Sequence, residues 1–183
     1  MIRKNGKFII KKSVHKYKNK WIEVVEDQVI RPDGRKGIFG IISMKGGTNI
    51  LPVDKDGYVY LIEEFHYAIG KNGIETSHGG RGEKEGFLAA AKRELKEELG
   101  ITAKKWKQLG VVEPFTNIMK SQQKLYLAED LVISENNPDA DEDIKIIRVK
   151  LGKAVDMVME GKINYATSCL LILMANEYLK SRK

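Results

Sequence analysis

The hydrophobic pattern divides this chain into short strand-like runs around one strongly helical stretch. Pro32-Asp33-Gly34 signals a turn and is followed by an apolar-rich run over 36–44, which predicts a strand. Ile50-Leu51-Pro52-Val53 and Tyr58-Val59-Tyr60-Leu61-Ile62 flank Asp54-Lys55-Asp56-Gly57. That pattern predicts a hairpin, with Asp56-Gly57 supplying the positive φ angles of its turn. Residues 70–86 hold six glycines and little apolar periodicity, so a loop is expected there. Over 87–99 the apolar period becomes helical, and Gly100 is placed to end the helix. Further strands are predicted around 109–112, 124–128 and 144–149, with an acidic loop at 137–143 before the last. Two helices, 153–160 and 165–179, follow. This order predicts an α+β fold with a mixed sheet and helices on its faces.

Composition narrows the class. The chain has 183 residues, 42% hydrophobic and 31% charged, enough to bury the core of one domain with a modest extension. Its one cysteine, Cys169, excludes an internal disulfide and a multi-cysteine zinc site. The longest apolar run, at 169–175, is too short to span a membrane. Met1-Ile2-Arg3-Lys4 lacks the apolar core of a signal peptide, so a cytoplasmic protein is expected. The net charge is +7, which favours anionic partners. Eight of the Lys and Arg residues lie in the first twenty positions without any acid. No interleaving of aromatic and basic residues accompanies them, so a nucleic-acid partner is not expected.

The segment with candidate chemistry is Gly79-Gly80-Arg81-Gly82-Glu83-Lys84-Glu85 followed by the helix 87–99. At about 100° per residue, Phe87, Leu88, Ala91, Leu95 and Leu99 fall on one arc, the expected core face. Glu94 and Glu98 lie at one border of that arc, with Glu97 beside them. Like charges at i and i+4 cost a helix a few tenths of a kcal/mol (about 0.2–0.5), and acids near its C-terminal end oppose the macrodipole. A divalent cation among the oxygens would account for both costs. Alternatively, Lys92, Arg93 and Lys96 pair with the acids of a solvated helix. The preceding glycines favour the cation, because they let backbone approach a ligand closely.

These residues resemble the Nudix hydrolase signature. Gly79, Glu85, Arg93, Glu94, Leu95, Glu97, Glu98, Gly100 and Ile101 occupy every fixed position of that 23-residue motif. A chance match is on the order of one in a million or less. The resemblance implies a Nudix α/β/α sandwich with a mixed central sheet and an N-terminal strand extension. It implies Mg²⁺-dependent hydrolysis, with Mn²⁺ as a substitute ion, of a nucleoside diphosphate linked to another group. It further implies metal ligands at Glu94, Glu98, Glu85 and the carbonyl of His78. Glu97 would bind metal or move between metal and water, and Arg93 would orient the glutamates.

Flanking segments look like the ADP-ribose and nucleoside diphosphate sugar branch. Glu64-Phe65-His66-Tyr67 stands where Gln-Tyr-Arg-Tyr is usual, so His66 replaces an arginine that commonly binds substrate. Thr76-Ser77-His78 stands where Leu-Pro-Ala is usual. Trp21, Arg31, His66 and Arg81 are therefore candidates for substrate binding, with packing or solvent exposure as the alternative for each. By the same resemblance Glu142 would orient or deprotonate the attacking water, with Asp139 and Asp141 as alternatives. Residues 1–45 are expected to form a dimer-forming strand extension and 46–183 the hydrolase domain, giving a homodimer. The expected function is hydrolysis of nucleoside diphosphate sugars to a nucleoside monophosphate and a sugar phosphate. Two other readings remain: housecleaning of nucleoside triphosphates or RNA caps, and a non-catalytic sensor or binding domain.

Overall fold

The computed structural model describes residues 3–134 and 144–182. Its elements are β1 (Arg3–Asn5), β2 (Phe8–Lys18), β3 (Ile22–Ile30), β4 (Lys36–Met44), β5 (Gly47–Pro52), β6 (Tyr58–His66) and β7 (Lys71–Gly80). After these come α1 (Phe87–Leu99), β8 (Ile101–Val112), β9 (Met119–Lys120), β10 (Gln123–Ile133), β11 (Lys145–Lys150), α2 (Leu151–Met159) and α3 (Ala166–Lys180). The described residues form two compact units. The first is Met1–Gly46 with Glu113–Gln122, and the second is Gly47–Val112 with Gln123–Lys183.

The first unit is a sheet in the order β1-β2-β3-β4-β9. Its long strands pair antiparallel through the meander β2–β3–β4, and β9 joins β4 in parallel. Asp33 shapes the tip of the β3–β4 connection by accepting from the Arg35 backbone N–H at 3.0 Å.

The second unit is a mixed sheet in the order β11-β6-β7-β5-β10-β8, with β5 and β10 parallel. Alternation along three of its strands builds two cores. Leu51, Leu61, Leu125 and Leu127 point to one face and pack with Ala154, Leu171 and Ile172 of α2 and α3. Their neighbours Ile50, Tyr60, Ile62, Tyr126 and Ala128 point to the other face and pack with Ala91, Leu95 and Leu99 of α1. A strand with apolar residues on both faces needs cover on both sides, so helices flank the sheet and the α+β sandwich follows.

Three expectations change. First, β5 and β6 do not form a hairpin: they share the single bridge Val53–Val59, and β7 runs between them. β7 pairs with β6 over 71–76 and with β5 over 77–80. The turn between β5 and β6 is organised by Asp54, whose Oδ1 accepts from the N–H groups of Asp56 and Tyr58. Only Gly57 there has positive φ, at 76°. Second, most of the glycine-rich stretch is strand rather than loop, because β7 runs to Gly80. Third, Leu88 faces outward at 39% exposure, while Ala90 and Glu98 are buried on α1. The helix itself ends as expected, with Gly100 at φ 64° and its N–H donating back to the carbonyls of Leu95 and Lys96.

The two faces of α1 make a stability comparison. Leu95→Ala on the buried face is expected to cost about 2–5 kcal/mol, and Leu88→Ala within about 1 kcal/mol. Urea denaturation of each variant checks this, and equal losses would contradict the assigned burial.

Candidate active site

The turn from β7 into α1 gathers the glutamates. Its two anchors differ: Ala91, Leu95 and Leu99 fix the helix against the sheet by apolar packing, and β7 is held by pairing with β6 and β5. Glu98 lies on the same side as Leu95 and Leu99 and is only 2% exposed. Its Oε2 accepts from the backbone N–H of His78 at 3.2 Å, which ties helix to strand.

Glu94 fills the space above Gly79. A Cβ on Gly79 would stand 2.0 Å from Glu94 Cδ and 2.1 Å from its Oε1. Here glycine provides room for a carboxylate against the strand rather than an unusual turn. Arg93 spans the rest. Its Nε reaches Glu85 Oε1 at 3.1 Å, Nη1 reaches Glu97 Oε2 at 2.8 Å, and Nη2 reaches Glu94 Oε1 at 2.8 Å. Nη2 also donates to the Gly80 carbonyl at 3.1 Å. Glu85 closes the connecting loop by accepting from the Gly82 N–H at 3.0 Å. The Arg93 guanidinium holds Glu85 below the usual carboxylate range, and Glu85 in turn raises Arg93.

A second group lies beside the first. The Glu75 side chain is 1% exposed, and the Glu64 carboxylate and His78 imidazole come close to it. His66 Nε2 comes within 2.6 Å of Glu75 Oε1. Despite that approach, neither buried Glu75 oxygen has a hydrogen-bond partner. His78 Nε2 is 3.7 Å from Glu75 Oε2 and 3.9 Å from Glu64 Oε1, and its Nδ1 is 3.9 Å from Glu98 Oε1. Tyr165 packs edge-on against the His78 ring, with centroids 5.5 Å apart. Burial, then the Glu64 charge, pushes the Glu75 carboxyl up to about 8. Burial, with a smaller contribution from His66, lowers His78 to about 4.

The structure thus brings Glu85, Arg93, Glu94, Glu97, Glu98 and His78 together, with His66 in the adjoining cluster. Arg81 stands at the loop base, where Nη1 donates to the Glu85 carbonyl at 3.2 Å and the guanidinium lies 5.0 Å from the Phe87 ring centre. Trp21 and Arg31 belong to the first unit. Trp21 is 63% exposed with Lys20 Nζ 4.0 Å over its ring, and the Arg31 side chain lies alongside Gly37. Glu142, Asp139 and Asp141 lie outside the described residues. Sequence reasoning missed Glu64 and Glu75 as site residues. The sequence carries little signal for them: Glu75 precedes the polar Thr76-Ser77-His78, and Glu64 follows a second acid, Glu63, at the end of an apolar run.

Chemically, the α1 set with Glu85 is all oxygen and partly withdrawn from water, the donor type that hard divalent cations take. The tight seat of Glu94 over Gly79 and the buried Glu98 carboxylate fit such an ion. The NUDIX domain family model matches residues 45–164, and the nucleoside diphosphate sugar hydrolase N-terminal domain model matches residues 11–42. The chain is 25% identical over 173 residues to the ADP-ribose pyrophosphatase of Bacillus subtilis (strain 168), covering 91% of this chain and 92% of that protein. It is 28% identical over 155 residues to the ADP compounds hydrolase NudE of Escherichia coli (strain K12), covering 84% and 76%. A crystal structure of an ADP compounds hydrolase shares the fold, with a TM-score of 0.85 over 98% of each chain at 20% identity.

The two perturbed groups set a pH dependence for the metal-free protein. Between the ordinary histidine value of 6.5 and about 8, native Glu75 keeps a proton that the unfolded chain has lost. Stability therefore falls as pH rises through that window. Below 6.5 His78 opposes the trend, since the unfolded imidazole takes up a proton that the native one refuses. Urea midpoints measured in chelator should fall from pH 6.5 to 8. Glu75→Gln should flatten that slope, and a slope of the same size in the variant would assign it elsewhere.

Proposed function

The chain belongs to the NUDIX family, and on that premise we propose that it hydrolyses the diphosphate bond of nucleoside diphosphate sugars, ADP-ribose-like compounds among them. The products would be a nucleoside monophosphate and a sugar phosphate. The observation that carries the reading is the convergence of Glu94, Glu97, Glu98 and Glu85 around Arg93 at the end of β7. The substrate class is supported by the match of residues 11–42 to a nucleoside diphosphate sugar hydrolase N-terminal domain. It is supported also by the names of the two curated relatives.

Glu94, Glu98, Glu85 and the His78 carbonyl would hold Mg²⁺, or Mn²⁺ in its place. The ion would supply charge to screen the diphosphate and acidity to activate water. The chain's own groups do the remaining work. Arg93 keeps Glu85, Glu94 and Glu97 in fixed rotamers, so little reorganisation is needed when substrate arrives. Glu97, the most exposed of the helix carboxylates, would have to release Arg93 to turn toward water or a second ion. Glu142 completes the proposed set as the residue that orients or deprotonates the attacking water. His66 and Arg81 are proposed to meet the substrate's ribose or phosphate groups. Trp21 and Arg31 would do so from the N-terminal strands, across a two-fold axis of a homodimer. Exposed Trp21, Ile38 and Met44 are apolar surface that such pairing would cover. A cytoplasmic location accords with a single, unpaired cysteine.

Glu98→Gln should keep the fold and lose about 10²–10³-fold in Mg²⁺-dependent turnover, the scale for losing one group that answers transition-state charge. Product analysis on nucleoside diphosphate sugars, nucleoside triphosphates and capped RNA measures this and ranks the substrate classes. Near-normal turnover in the variant, or activity confined to triphosphates or caps, would overturn the proposal. Gly79→Ala should displace Glu94 and weaken Mg²⁺ binding roughly 10–100-fold. Calorimetry reads that loss directly, and unchanged affinity would remove Glu94 from the ligand set.

A further inference from the structure

Two of the chain's three histidines lie at one place, beside two carboxylates that have no basic side chain as partner among the described ion pairs. Among the described ion pairs, Glu64 and Glu75 meet the imidazoles of His66 and His78. Ligand atoms of Glu64, Glu75 and His78 all lie within 4.8 Å of one another. The two separations from His78 Nε2, 3.7 and 3.9 Å, are a few tenths of an ångström wider than the edges of a tetrahedron with bonds of about 2.0–2.1 Å. The 1% exposed Glu75 carboxylate has no hydrogen-bond partner on either oxygen, and His78 Nδ1 has none. A carboxylate buried in this way is costly in its ionised form unless a cation answers it, and a metal ion can take the place of a proton there.

We propose that Glu64, Glu75 and the His78 imidazole form a second divalent-cation site, built for a borderline transition ion such as Zn²⁺ rather than for Mg²⁺. Donor chemistry sets the preference. Imidazole nitrogen suits zinc and its neighbours in the first transition row, whereas Mg²⁺ takes oxygen. Three protein ligands leave a fourth position open to water or to a substrate oxygen. His66 stands beside the site, its Nε2 2.6 Å from Glu75 Oε1, while Glu75 Oε2 lies 3.7 Å from His78 Nε2. Gly73 makes room for it, since a Cβ there would stand 2.7 Å from His66 Nε2. His78 links the two groups, through its backbone N–H to Glu98 and through its ring to Glu64 and Glu75. The proposal does not depend on which substrate is hydrolysed, or on hydrolysis.

The test uses the intact, chelator-treated protein, in which the imidazole NMR signals of only His15, His66 and His78 need assignment. Added Zn²⁺ should shift the His78 ring signals at one equivalent and move those of His66 less, with His15 unchanged. Mg²⁺ should leave all three in place. By calorimetry, His78→Ala should weaken Zn²⁺ binding by roughly 100-fold or more. Glu75→Gln should weaken Zn²⁺ in the same direction, with far-ultraviolet dichroism confirming its fold. His78 ring signals unmoved by Zn²⁺ in the wild-type protein, or a response confined to His15, would overturn the site. So would equal Zn²⁺ affinities for the wild type and His78→Ala.

Discussion

Negative charge crowds the junction between β7 and α1, and most of the local structure exists to hold it. Glu94, Glu97 and Glu98 fall within five residues near the end of the helix, where the backbone dipole disfavours them. Glu85 joins them from the loop. Arg93 opposes this charge from within, with ion pairs to Glu85, Glu94 and Glu97. Glu98, the most buried, instead takes the N–H of His78. A helix carrying these costs stays in place because Ala91, Leu95 and Leu99 are sealed into the core on its other side.

β7 is the second half of that arrangement. Its first part pairs with β6 and its last part with β5, so it can bring residues of two strands to one helix. Small residues along it set the clearances. Gly79 admits the Glu94 carboxylate and Gly73 admits the His66 ring. Thr76 is anchored from behind by Ser168 of α3, which donates or accepts at 3.0 Å and takes the Thr76 N–H at 3.0 Å. The strand is therefore fixed from the α3 side while its other residues face the two carboxylate groups. Stiffness of this kind matters because charge stabilisation is lost when the donors can drift.

Some of this was legible one residue at a time. The Gly79–Ile101 pattern identified the site's helix, its cap and its principal side chains, because helical geometry is local and places i, i+3 and i+4 on one face without help from the rest of the chain. The apolar runs in 50–53, 58–62 and 124–128 likewise announced strands. The glycine-rich stretch misled: glycine reads as a turn in isolation, yet here its lack of a side chain serves close packing within a strand.

The order of strands could not be read in this way. Nothing in 50–62 shows that β7 will insert between β5 and β6, since that depends on pairing with residues far along the chain. For the same reason Glu64 and Glu75 are unremarkable in the sequence. They become a close carboxylate pair, Glu75 buried and Glu64 partly so, only when β6 and β7 align and His78 turns its ring toward both. The sequence by itself determined the family, the helix and its glutamates, because these rest on contacts between near neighbours. The tertiary structure alone decided which acids lose their water and which imidazoles face them, because burial and long-range pairing are properties of the assembled sheet.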